Sequence, residues 1–110
     1  MTSNFEARVG QNEALFRQIN DRIEAGHWPG EDAERAAFLC ECSMLGCNLL
    51  VELTPAEYEA VRADPRRFLV VPGHELPGVE VVVRRESQYL VVEKIGDAGR
   101  VAAEADPRDD

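Results

Sequence analysis

Cys40, Cys42 and Cys47 fall within eight positions, in the stretch FLCECSMLGC, and the chain of 110 residues has no other cysteine. An odd number of thiols argues against a disulfide framework and leaves metal binding, redox chemistry or plain burial. The spacing C-x-C-x4-C favours a metal. On a regular strand, residues two apart share a face with side chains about 7 Å apart, twice the strand rise. Thiolates on one zinc ion must come closer, so the chain is expected to curl at Glu41 into a knuckle. Gly46 can take the positive φ such a loop needs.

A structural zinc ion takes four tetrahedral ligands, with cysteine sulfur and histidine nitrogen among the preferred donors. The fourth ligand is expected to be His74, in VVPGHELPG, where Pro72-Gly73 and Pro77-Gly78 bracket a rigid loop that could aim an imidazole at the cysteines. His27 is the alternative, and Glu41 or Glu75 could donate oxygen instead. Such a Cys3His site would join segments nearly thirty residues apart, so that metal binding contributes directly to folding.

Two other chemistries compete. Cys42 and Cys47 could serve as a redox pair in a redox or metal-responsive sensor, although no basic residue lies near them in sequence to favour a thiolate. A metal-dependent hydrolase would need a base, and Glu75 beside His74 is the obvious one. GHE in a proline-rich turn, however, lacks the helical spacing of H-E-x-x-H, and three thiolates dull the Lewis acidity of zinc. The chain has no Gly-rich phosphate loop and no nucleophile elbow. A non-enzymatic role is expected.

The elements that position these residues must come from one small domain. A hydrophobic fraction of 45% fills a modest core, and a domain of this length gains from an added staple. The net charge of −9, from 21 acidic and 12 basic residues, repels phosphate backbones and anionic membranes. Arg66-Arg67 and Arg84-Arg85 are too few to form a basic patch. Neither nucleic acid nor membrane is therefore expected as a partner. The first residues lack a basic and apolar leader, and no apolar run approaches a membrane span, so a cytoplasmic location is expected.

The pattern predicts an α+β fold within residues 1–96. Ser3 and Glu6 have capping-box spacing, and Phe5, Val9, Asn12, Phe16, Ile19 and Ile23 form one stripe, so a long helix is expected over 3–25. Glu13, Arg17 and Asp21 would pair along its flank. The stripe either covers a sheet or, with Asn12 inside it, makes a short coiled-coil seam for a homodimer. Trp28, after the helix, either folds back onto the core or contacts a protein partner. AAFLC and NLLVEL are the arms of a knuckle hairpin over 36–53. Thr54, Pro55 and Glu57 start a second helix over 55–63. RRFLVV, VEVVV and QYLVVEKI supply strands within 67–95, giving a largely antiparallel sheet of about five strands. Val79, Val81 and Val83 form the expected buried face of one of them. Residues 97–110 read as a disordered acidic tail.

From Phe38 to Lys94 the chain resembles a group of short, mostly actinobacterial proteins. They share a FxCEC…C knuckle, LTxxEYExVRxxPRRF, VxPGHE and YxVVEK, present here as FLCECSMLGC, LTPAEYEAVRADPRRF, VVPGHE and YLVVEK. The resemblance implies a bacterial domain of its own type and carries no activity with it. The loop SMLGCNLL is more apolar than in that group, which makes Met44 and Leu45, with Leu49 and Leu50, candidate contacts for an unidentified protein partner. The expectation is a small zinc-stabilised interaction or regulatory protein.

Overall fold

AAFL pairs with LVEL as an antiparallel hairpin, β1 (Ala36–Leu39) with β2 (Leu50–Leu53), Ala36 opposite Leu53 and Leu39 opposite Leu50. The computed structural model describes residues 4–26, 35–42, 47 and 49–106, with side chains in the first segment from Glu13 onward. His27, Trp28, Met44, Leu45, Gly46 and the last four residues lie outside the described residues.

β2 runs directly into α2 (Pro55–Arg62), which starts as the sequence predicts. Thr54 accepts from Glu57 N–H through its hydroxyl at 3.1 Å, and the Glu57 carboxylate accepts from Thr54 N–H at 2.9 Å. Two orphan amides of this first turn are thereby satisfied, and Pro55 has none to satisfy. Three further strands follow, β3 (Arg67–Val70), β4 (Glu80–Arg85) and β5 (Leu90–Lys94), all antiparallel in the order β3-β5-β4. The expected single sheet is thus divided in two: Cys40 N–H still donates to the Leu49 carbonyl of the hairpin, and Glu41 N–H turns to Leu69 of β3.

Two apolar clusters flank the three-stranded sheet. Phe38, Val51, Leu53, Tyr58, Leu69 and Val91 fill one, with the rings of Phe38 and Tyr58 stacked at 4.6 Å between centroids. Cys40, Cys42, Phe68, Val70, Leu90 and Val92 fill the other. Alternation along β3 and β5 sends successive side chains to opposite clusters, so both strands are apolar on both faces.

Three expectations change. α1 (Asn4–Ala25) forms, but its buried side chains among the described residues are Glu13, Arg17 and Asn20, while Phe16, Ile19 and Ile23 are half-buried. The charges expected to pair along its flank instead reach distant partners: Glu13 pairs with Lys94, Arg17 with Asp106 and Arg62 with Asp21. Val79, just before β4, and Val81 and Val83 on it face outward, being 40%, 45% and 42% exposed. Glu80 turns inward because Lys94 holds its carboxylate at 2.6 Å.

The expected disordered tail contains α3 (Gly96–Glu104), with Ala102 and Asp106 buried. Gly99 permits its close approach to β5, since a Cβ there would lie 2.7 Å from the Lys94 carbonyl oxygen. Asp106 then accepts from both Arg17 and Arg62. No helix among the described residues is long and apolar enough to cross a membrane.

Candidate metal centre

β1 ends at Leu39, and the next three residues run beside the outer edge of β3. Glu41 donates its N–H to the Leu69 carbonyl at 2.7 Å, and Leu69 N–H returns to the Glu41 carboxylate at 3.0 Å. Val71 N–H donates to Cys40 Sγ at 3.2 Å. The knuckle thereby covers part of the outer edge of β3, taking both main-chain groups of Leu69 and the amide of Val71. Cys40 and Cys42 meet in the donor group within 4.8 Å, closer than on a regular strand, while the Glu41 carboxylate between them goes to Asn20, Tyr58 and Leu69 instead.

β3 leads straight into the turn that presents the histidine. His74 N–H donates to the Val71 carbonyl at 2.9 Å, with Pro72 and Gly73 between them and Gly73 at φ +94°. Proline second and a positive-φ glycine third are what a type II turn requires. The turn brings His74 Nδ1 to 3.7 Å from Cys40 Sγ and 3.6 Å from Cys47 Sγ. Cys40, Cys42, Cys47 and His74 offer donor atoms that all lie within 4.8 Å of one another.

These distances suit a metal ion. Tetrahedral zinc with ordinary Zn–S and Zn–N bonds separates sulfur from nitrogen by about 3.6 Å. Cys40 and Cys42 are buried, and Cys47 and His74 are half-buried. Burial pushes the Cys40 thiol well above the usual range, opposed by the hydrogen bond from Val71 N–H. A bound cation would supply the charge that turns such a buried thiol into a thiolate. The Val71 amide then orients and stabilises the sulfur from outside the coordination sphere.

The alternative oxygen donors point elsewhere. Glu75 accepts from Gly73 N–H at 2.7 Å and so closes its own turn. Glu41 is fully buried on the face away from the sulfurs, where Tyr58 Oη donates to it at 2.6 Å and Asn20 Nδ2 at 2.9 Å. Burial raises its pKa, against the hydrogen bonds from Leu69, Tyr58 and Asn20. Asn20 also brackets the end of β1, donating to the Leu39 carbonyl at 2.8 Å and accepting from Leu39 N–H at 2.7 Å. Sequence reasoning missed this structural role of Glu41. The signal lay in CEC itself, since a residue between two ligands that turn to one ion is free to send its own side chain elsewhere.

A cavity of about 160 Å³ lies apart from the donors, lined by residues including Glu57, Val61, Arg67, Val83, Tyr89 and Val91. Glu57 closes the α2 cap and accepts from Tyr89 Oη, and Arg67 pairs with Glu93. Comparison with known protein families, curated proteins and solved structures gives no match in any of the three.

Proposed function

We propose that the protein is a small, non-enzymatic zinc-binding domain in which a structural Cys3His site holds the knuckle to the PGHE loop, and that it acts through a protein partner as an interaction or regulatory module. The observation that carries this reading is the convergence of Cys40, Cys42 and Cys47 of the knuckle with His74 of the PGHE loop, nearly thirty residues away, into one group of donors. Four protein donors complete a tetrahedral shell and leave no position for a substrate, which is the pattern of structural zinc. Three sulfurs and one imidazole suit zinc better than magnesium or calcium, which prefer oxygen. Burial of Cys40 and Cys42 supports a structural role over a sensor that oxidants must reach. The net charge of −9 favours a protein over a nucleic acid as partner.

Cobalt(II) substitution tests the donor set. A tetrahedral, thiolate-rich site is expected to give intense visible absorption with sulfur-to-metal charge transfer in the near ultraviolet, reduced in a His74→Ala variant. Weak octahedral absorption, or a spectrum indifferent to the cysteines, would contradict the assignment. Peroxide titration separates the sensor role, since a structural site should keep its zinc under conditions that empty a sensor.

A further inference from the structure

The donor group and α1 act on opposite faces of the same three residues. Cys40 and Cys42 face the donors, and Glu41 between them accepts from Asn20 of α1, Tyr58 of α2 and Leu69 N–H of β3. α1 is held by an unusual interface. Its fully buried described side chains are all polar, and Glu13, Arg17 and Asn20 reach Lys94, Asp106 and Leu39. The buried Arg17 Nε has no hydrogen-bond partner among the described residues. Buried ion pairs gain little over the hydration they give up, so such an interface is stabilised by orientation more than by area. When it opens, the released groups are ones that water solvates well. Among the described residues α1 is therefore joined to the rest of the fold chiefly through polar partners, with Ile23 packed against the first apolar cluster and Arg17 over the Phe68 ring.

We propose that metal occupancy controls the seating of α1, an inference that rests on the metal reading above. With the ion bound, Cys40 and Cys42 fix residues 40–42, and the Glu41 carboxylate stands where Asn20 reaches it. Without the ion the knuckle relaxes, Glu41 loses its alignment with Asn20, and α1 swings away from the polar cleft that contains Lys94 and Arg62. The knuckle is thus a latch that converts metal binding into exposure or concealment of a helix. Linkage makes the effect reciprocal, so contacts that seat α1 also tighten the metal site.

The test is hydrogen exchange with mass spectrometry on the full chain, zinc-loaded and chelated, beside Asn20→Ala, which removes no donor. Chelation is expected to raise exchange of the α1 amides on the order of tenfold while β3 and β5 stay protected. Asn20→Ala should free α1 with zinc bound and weaken zinc binding about tenfold by chelator competition, within the range usual for coupled sites. The latch is overturned if wild type binds zinc but α1 exchanges alike with and without it, or if Asn20→Ala binds zinc as tightly as wild type. Loss of protection in all segments together also overturns it, because the metal would then hold the whole fold. Wild-type protein that binds no zinc removes the metal reading itself, and the latch with it.

Discussion

The face of the three-stranded sheet that meets the hairpin and α2 is apolar, whereas the interface beneath α1 is built from charges. On the first, Phe38, Val51, Leu53, Tyr58, Leu69 and Val91 interlock, and burial of apolar area supplies the stabilisation. On the second, Glu13, Arg17, Glu80, Lys94, Arg62 and Asp106 are buried together, with the Arg17 guanidinium 4.1 Å from the Phe68 ring centroid. Here each group depends on a named partner. Burial would lower the Lys94 pKa, yet Glu13 and Glu80 together raise it above its ordinary value. Burial raises that of Glu13, with Lys94 opposing. An apolar core tolerates exchange of one residue for another of similar volume, and a polar one does not tolerate the loss of a partner. The knuckle lies where the two regions meet.

Metal removal should show the largest effect. If free zinc stands a thousandfold above its dissociation constant, the ion contributes about 4 kcal/mol, and its loss should lower the melting temperature by roughly 15–30 °C. Cys42→Ala should reproduce the chelated melting curve and respond no further to chelator. Because two apolar clusters persist, cooperative unfolding should survive, which circular dichroism would show.

Asp106→Ala breaks the polar region by leaving Arg17 and Arg62 buried without their shared carboxylate. A loss of about 3–5 kcal/mol in urea unfolding is expected. Leu69→Ala on the apolar side should cost about 2–5 kcal/mol. The two losses differ in how they are recovered. Replacing Arg17, Arg62 and Asp106 together with Met, Leu and Leu should restore most of the stability, and an unrecovered triple variant would show that the charges contribute more than their pairing.

Tyr58→Phe joins the two regions, because it keeps the stack on Phe38 but removes the hydroxyl donor to Glu41. A cost of about 1–3 kcal/mol is expected, and a neutral result would mean that another donor serves Glu41. The smallest effect lies at the α2 cap, where Thr54→Ala should cost about 1 kcal/mol. Hydrogen bonding from Thr54 N–H holds Glu57 below its ordinary value of 4.5, with burial opposing. A carboxyl depressed on folding contributes stability above its unfolded pKa and loses it as pH falls through the folded one. Glu57→Gln should therefore flatten the acid limb of the stability profile below about pH 4.5.

The legibility of the chain followed the same division. The hairpin, the capping box of α2 and the PGHE turn were readable because their determinants are local: alternation in AAFL and LVEL, Thr54 three residues before Glu57, Pro72-Gly73 ahead of His74. The convergence of the four donors was readable because few residue types bind soft metals. The burial of Glu13, Arg17 and Asn20 was not readable, because their partners Lys94, Asp106 and Leu39 lie far away or are main-chain groups that carry no sequence signal. The same distance hid the inward turn of Glu80. α3 was missed because acidic composition suggested a tail, whereas small size at Gly99 and Ala102 and one charge at Asp106 suffice to dock it.

The most direct test of the metal centre is elemental mass spectrometry of untagged protein purified without added metal, beside a His74→Ala variant. The account predicts about one zinc ion per wild-type chain, as a single tetrahedral Cys3His site requires, and a lower content in the variant. Folded wild-type protein that carries no zinc and takes none up would contradict it, and the three thiols would then belong to the core alone.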